Sequence, residues 1–157
     1  MKKMLKLGGA AAASAAVLFA LPGCRREQRD GRIRVEQPWV RLPASKSLPG
    51  AAYFRLEGAE EGTRLVGLTS PLVRWVEMHE SSTKGGMTGM KQHKEMEFSS
   101  RGELVFEPGG NHAMLYGIDP QVKPGGRIAF TFSFNVAPPL TIEAEVRAAG
   151  DPAPAER

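Results

Sequence analysis

A single cysteine stands among the 157 residues of the chain. It cannot close an internal disulfide, and it cannot supply a CxxC redox pair or a zinc site built from several thiolates. There is no strong charge of one sign either. Lys and Arg total 21 against 17 Asp and Glu, and with the N-terminal Lys2, Lys3 and Lys6 set aside the balance is 18 against 17. Nucleic-acid binding needs a dense basic stripe, and none is present, so no nucleic-acid partner is expected. Long apolar runs are also missing. The longest, from Leu7 to Leu21, covers 15 residues, too few for a stable bilayer-spanning helix. No convincing amphipathic helix is visible, and the length suits one domain with a real core.

What is present first is an export signal. Residues 1–23 run from three lysines into an Ala- and Gly-rich apolar stretch, the order of a secretory signal peptide. The stretch ends in Leu21-Pro22-Gly23-Cys24, which resembles the lipobox of bacterial lipoproteins, in which the cysteine becomes the acylated first residue of the mature chain. Cys24 is therefore expected to carry lipid and to anchor an exported protein at a periplasmic or cell-surface membrane face. Residues 24–31 form a charged tether without an apolar side chain after Cys24. An acylated Cys24 leaves no thiol in the mature domain. That closes off thiol nucleophiles and blue-copper centres, which need a thiolate.

From residue 32 to 147 short runs alternate between apolar and polar residues, among them Ile33–Val40, Ala52–Leu56, Arg64–Leu68, Arg74–His79, His112–Ile118, Arg127–Phe134 and Thr141–Val146. A period of two signals strands with one buried face. Turn residues bound them at Leu48-Pro49-Gly50, Pro108-Gly109-Gly110 and Pro124-Gly125-Gly126. The pattern predicts an all-β antiparallel sandwich or barrel, its core drawn from residues such as Trp39, Tyr53, Leu56, Val66, Leu115, Phe130 and Phe132. Residues 148–157, with Pro152 and Pro154, read as a flexible tail.

Methionine and histidine are placed unevenly. Beyond the leader, Met78, Met87, Met90, Met96 and Met114 and all three histidines, His79, His93 and His112, fall between residues 78 and 114. Methionine as core filler should be scattered. The segment Lys84-Gly85-Gly86-Met87-Thr88-Gly89-Met90 is also too Gly-rich and polar to be buried, and reads as a loop with exposed thioethers. A soft-metal site or an adaptable protein-contact surface would explain that. In His112-Ala113-Met114 the two donors lie two apart on a strand and so share a face. In Trp75-Val76-Glu77-Met78-His79 the alternation places His79 opposite Met78, so only one of the two can join a given site. His79 is taken as the donor and Met78 as core. Met87, His93 and Met96 read as solvated or packing residues, and Glu77 and Glu80 as exposed charges.

The spacing His79-x(10)-Met90-x(21)-His112-x-Met114 resembles the signature of the periplasmic copper chaperones called PCuAC-like. Weaker similarity runs through Gln37-Pro38-Trp39-Val40-Arg41, Ala51-Ala52-Tyr53-Phe54 and Pro108–Leu115. The resemblance implies a cupredoxin-like β-sandwich holding one Cu(I) through His79, Met90, His112 and Met114. It also implies copper delivery to exported partners, a Sco-type protein or the copper subunit of cytochrome oxidase. The His- and Met-rich C-terminal extension of some members has no counterpart in Ala148–Arg157. Two imidazoles and two thioethers form a neutral, soft set suited to Cu(I) rather than to Zn(II), Ca(II) or Mg(II). Such a filled shell argues against a copper oxidoreductase, which needs an open position. The alternatives to a chaperone are a periplasmic copper buffer and a Met-rich protein-binding lipoprotein module without copper transfer.

Overall fold

The computed structural model describes residues 32–154. The expected leader, Cys24 and the tether lie outside the described residues. Ten strands follow in chain order: β1 (Arg34–Arg41), β2 (Gly50–Glu57), β3 (Arg64–Thr69), β4 (Val73–Lys84), β5 (Met87–His93), β6 (Met96–Glu97), β7 (Glu103–Phe106), β8 (Asn111–Ile118), β9 (Arg127–Phe134) and β10 (Leu140–Arg147). They form one continuous path, β5-β4-β8-β2-β1-β10-β9-β3-β6, with β7 paired to β2 off that path. The architecture is all-β and cupredoxin-like. Every ladder is antiparallel except β1 with β10, where Trp39, Val40 and Arg41 run parallel to Glu145, Val146 and Arg147.

The path folds over a single apolar interior, because each strand contributes alternate side chains to one face. Phe54 of β2 meets Phe132 of β9 edge-on, ring centres 4.9 Å apart, and stacks on Phe106 of β7 at 4.2 Å. Leu56, Leu65, Leu115, Ile128, Phe130 and Phe132 are almost wholly enclosed. On the other side of the sheet Trp39 and Tyr53 tilt against each other at 4.5 Å, and the Arg41 guanidinium lies 4.9 Å from the Trp39 ring centre. Burial pushes the Tyr53 hydroxyl's pKa up, partly offset by Arg41.

Strict alternation fails at two bulges. On β3 the ladder with β9 shifts between Leu65 and Gly67, so Leu65 and Leu68 point inward and Val66 is exposed rather than part of the core. On β1 the shift between Glu36 and Trp39 accommodates Gln37 at φ 48° ahead of Pro38, which has no N–H to give to a ladder. Pro-Gly corners close where expected: Gly109 and Gly125 adopt φ 87° and 81°. Gly50 is needed for a different reason. It opens β2, where a Cβ would lie 2.7 Å from Ile118 Cδ1.

The largest departure from the sequence reading is the Lys84–Met90 segment. It is a hairpin, not a loop. β4 continues to Lys84, and Gly85 and Gly86, at φ 58° and 81°, make a two-residue turn into β5. Two consecutive positive φ values suit the right-handed twist of a tight hairpin. Every residue of β5 except His93 is exposed, as the polarity of the segment suggested. After Asp119 the chain turns under Leu72, and at the C-terminal end Ala148 and Asp151 close a turn on each other, with Arg147 reaching the Pro152 carbonyl.

Leu115 is fully buried directly behind the exposed face of β8, whereas Val66 stands in solvent. Leu115→Ala should lower unfolding free energy by about 2–5 kcal/mol through a cavity, and Val66→Ala by under about 1 kcal/mol. Urea denaturation followed by circular dichroism measures both.

Candidate metal centre

The site is set by one uninterrupted ladder. β4 and β8 pair from Val73 with Ile118 to Glu80 with Asn111, and within that register His79 lies directly opposite His112 and Glu77 opposite Met114. Paired residues of an antiparallel ladder project from the same side. The intervening pairs, Met78 with Ala113 and Val76 with Leu115, project to the other side and are buried or half-buried in the interior. Met78 is thus core, as the alternation predicted. On the far side of β4, β5 pairs Ser81 with Met90 and His79 with Gln92. Met90 therefore occupies the same face as His79, one diagonal step away, at a spacing that long side chains bridge. All four sequence-predicted donors, His79, Met90, His112 and Met114, stand on a single face of the three strands β5-β4-β8.

The two imidazoles are held at 5.8 Å between ring centres with their planes 28° apart. An end-on imidazole keeps its ring centre about 3 Å from a bound ion, so two rings sharing an ion sit about 5–6 Å apart. The pair is pre-spaced for that. Their hydrogen bonds are complementary. His112 Nδ1 donates to the Gly110 carbonyl at 3.0 Å, which leaves Nε2 with its lone pair. His79 Nε2 donates to Glu77 Oε2 at 3.0 Å, and His79 Nδ1 is buried with no partner. A buried, unpartnered imidazole nitrogen is costly unless something occupies it. A carboxylate on the opposite nitrogen is the usual way a ligating histidine is oriented. Glu77 is therefore a partner of His79 and not merely an exposed charge.

The thioethers differ in exposure. Met114 is half-buried on the central strand β8 and receives the Tyr116 hydroxyl at 3.6 Å on its sulfur. Tyr116 in turn stacks on Trp75, ring centres 5.0 Å apart and planes within 10°. Burial, and then the Glu77 carboxylate, raises the Tyr116 hydroxyl's pKa, so this group stays a neutral donor. Met90, on the edge strand, is 57% exposed. Among the described residues no three His, Cys, Asp or Glu side chains converge to hold a metal. The donors this face offers to a soft ion are two imidazoles and two thioethers.

The neighbouring residues take other places. His93 pairs with Met78 on the opposite face and bonds Glu80 at 3.0 Å. Met96 is buried core. Met87 flanks the hairpin turn and is 78% exposed. The Glu77 contact was open to sequence reasoning in one respect: positions 77 and 79 share one strand face, as positions 112 and 114 do.

The fold and this face define a PCuAC-like domain. The copper-bound PCuAC domain from PmoF2 superposes with a TM-score of 0.62 at 25% identity, over 75% of this chain and 94% of that one. The solution structure of CuI-DR1885 from Deinococcus radiodurans gives a TM-score of 0.55 at 27% identity, over 73% of this chain and 74% of the other. More particularly, the chain belongs to the family described as "Putative lipoprotein LpqE-like", whose profile matches residues 33–146. It is 31% identical over 133 residues to "Putative lipoprotein Lxx21020" of Leifsonia xyli subsp. xyli (strain CTCB07), covering 77% of this chain and 78% of that protein.

The hydrogen bonds define opposite tautomers. Long-range nitrogen–proton NMR on the metal-free protein should find His112 protonated at Nδ1 and His79 at Nε2. Glu77→Ala should erase the preference at His79 and leave His112 unchanged. A His79 already protonated at Nδ1 in the wild type would show that Glu77 does not orient it.

Proposed function

We propose that this protein is an extracytoplasmic Cu(I) metallochaperone, which holds one ion at His79, Met90, His112 and Met114 and passes it on by ligand exchange. The observation that carries the reading is the placement of these four side chains on one face of β5-β4-β8, with both imidazoles presenting a nitrogen free of other partners. Thioethers and neutral imidazoles favour a soft monovalent cation over oxygen-seeking divalent ones. Thioethers bind without losing a proton and survive oxidising compartments in which thiols become disulfides. Copper in the PmoF2 PCuAC domain and Cu(I) in DR1885 support the choice of metal.

In this reading the donors divide into a fixed half and a labile half. His79, His112 and Met114 stand on adjacent strands whose backs are buried in the core, so little ordering entropy remains to be lost on binding. Met90 is exposed on a strand that has only β4 as a neighbour. It leaves first, and an incoming sulfur or imidazole of the recipient takes its position before the ion departs. Copper is then never released into water, and its oxidation state does not change. Lipidation at Cys24 would hold the domain at the membrane surface, where a Sco-type protein or the copper subunit of cytochrome oxidase would be the recipient. The lipoprotein names of its family and relative support the anchor.

Anaerobic titration against a competing Cu(I) chelator should give one ion per chain. His112→Ala should weaken binding by more than about 100-fold, beyond what loss of a merely supporting group costs. Met90→Leu, nearly isosteric, should weaken it by about tenfold while leaving transfer to a Cu(I)-accepting protein as fast or faster. Absence of stoichiometric Cu(I) binding by the wild type would sink the reading in favour of a Met-rich contact module. Unchanged affinity in Met90→Leu would remove Met90 from the ligand set.

Cys24→Ser should release the protein from membranes with Cu(I) affinity unaltered. An unmodified Cys24 in the intact mass of membrane-derived protein would exclude the anchor.

A further inference from the structure

Strand β5 ends the sheet path, so one of its edges has no partner among the described residues. Such an edge presents a row of N–H and C=O groups that water or another extended backbone can satisfy, and it is commonly blunted by proline, covering, shortness or lysine. Of these only lysine is present, at Lys91. β5 is seven residues long, has no proline, and is exposed at six of its positions. Its outer half also stands clear of the sandwich, because β8 begins opposite Glu80 while β4 and β5 continue as a two-stranded ribbon through Lys84 and Met87. Nothing lies within 4 Å of a Cβ built on Gly89, midway along it.

The edge has a definite chemical character. Residues 81–94 contain three lysines and no Asp or Glu, and Glu80, which faces Lys91 across the ladder, is already engaged by His93, whereas the rest of the mature chain is nearly balanced. Lys91 and Lys94 are exposed at its end, and the two most exposed methionines, Met87 and Met90, lie along it. Opposite-charge pairs stabilise adjacent strands and like charges do not. A second copy of this chain would bring two cationic edges together, so the complementary occupant is a different, acidic one.

We infer that the free edge of β5 is the docking strand for the copper recipient, which adds an extended, acidic segment bearing methionine or histidine alongside Met87–His93. This rests on the copper-transfer reading. A strand added there lies about 5 Å from β5, and its side chain opposite Met90 comes as close as a cross-strand pair does. The incoming donor therefore arrives beside the ligand that leaves first. Main-chain pairing fixes the register of the exchange, the lysines speed the encounter, and the immobile half of the site is untouched.

The test uses the full chain and a synthetic peptide alternating Glu with Met and His, with two controls: the same peptide N-methylated at alternate backbone positions, and a Lys-for-Glu version. NMR shifts on adding the acidic peptide should concentrate on the amides of Met87–Lys94, and Cu(I) transfer to it should slow by about tenfold between low and physiological salt. Lys91→Glu combined with Lys94→Glu should slow transfer by a similar factor with Cu(I) affinity unchanged. The N-methylated and Lys-bearing peptides should neither shift these amides nor take copper at the same rate. Equal behaviour of the N-methylated peptide overturns strand addition. Shifts of the same amides by phosphatidylglycerol vesicles, without any by the acidic peptide, overturn a protein partner in favour of a lipid surface. Concentration-dependent dimerisation that occludes the β5 amides overturns it in favour of a second copy. If the acidic peptide docks on β5 but the protein binds no Cu(I), the copper reading fails and the docking edge stands. If Cu(I) binds but the peptide docks elsewhere, the edge fails alone.

Discussion

Everything at the candidate centre depends on the register of β4 against β8. Side chains on a strand alternate, so a slip of one residue by β4 would carry His79 into the interior and bring Met78 out to water, and the same slip by β8 would bury His112 and Met114 and expose Ala113 and Leu115. Burial of those three apolar side chains opposes the slip. The hydrophobic effect acting on one side of the sheet thus positions polar donors on the other side, with no contact among the donors themselves required. The imidazole spacing follows from ladder geometry, and the Gly110 carbonyl and Glu77 carboxylate then set which nitrogen of each ring is available.

The face divides electrostatically as well as mechanically. Glu77, the one carboxylate beside the four candidate donors, accepts from His79. The acidic residues of this region, Glu80, Glu97, Glu103 and Glu107, gather round a cleft on the far side of the hairpin, where His93 answers Glu80.

The sequence disclosed the period-two strands, and it disclosed that His112 and Met114 share a face and that Met78 opposes His79, because these depend only on alternation within one strand. It did not disclose where alternation breaks. Val66 was misplaced because a bulge on β3 is a property of its pairing with β9. The parallel contact of β1 with β10 likewise joins the two ends of the domain, with no local signal in either. Met90 shows a subtler failure. Gly85-Gly86 was read as evidence of looseness, although two glycines between residues that can pair are also what a tight hairpin requires. Glu77 was discounted for a similar reason, since its role appears only when the His79 ring is turned toward it.

Beyond Ser81, whose N–H donates to the Gly110 carbonyl, the ribbon of Ser82–Gly89 pairs only within itself and contributes nothing to the hydrophobic interior. Its sequence is therefore nearly free of the demands of folding. Substitutions or changes of length at the Gly85-Gly86 turn alter what the domain meets without altering whether it folds. Selection can rework the surface this hairpin presents while leaving the β4–β8 ladder intact, because the capacity to stay folded and the shape of that surface are written in separate stretches of the chain.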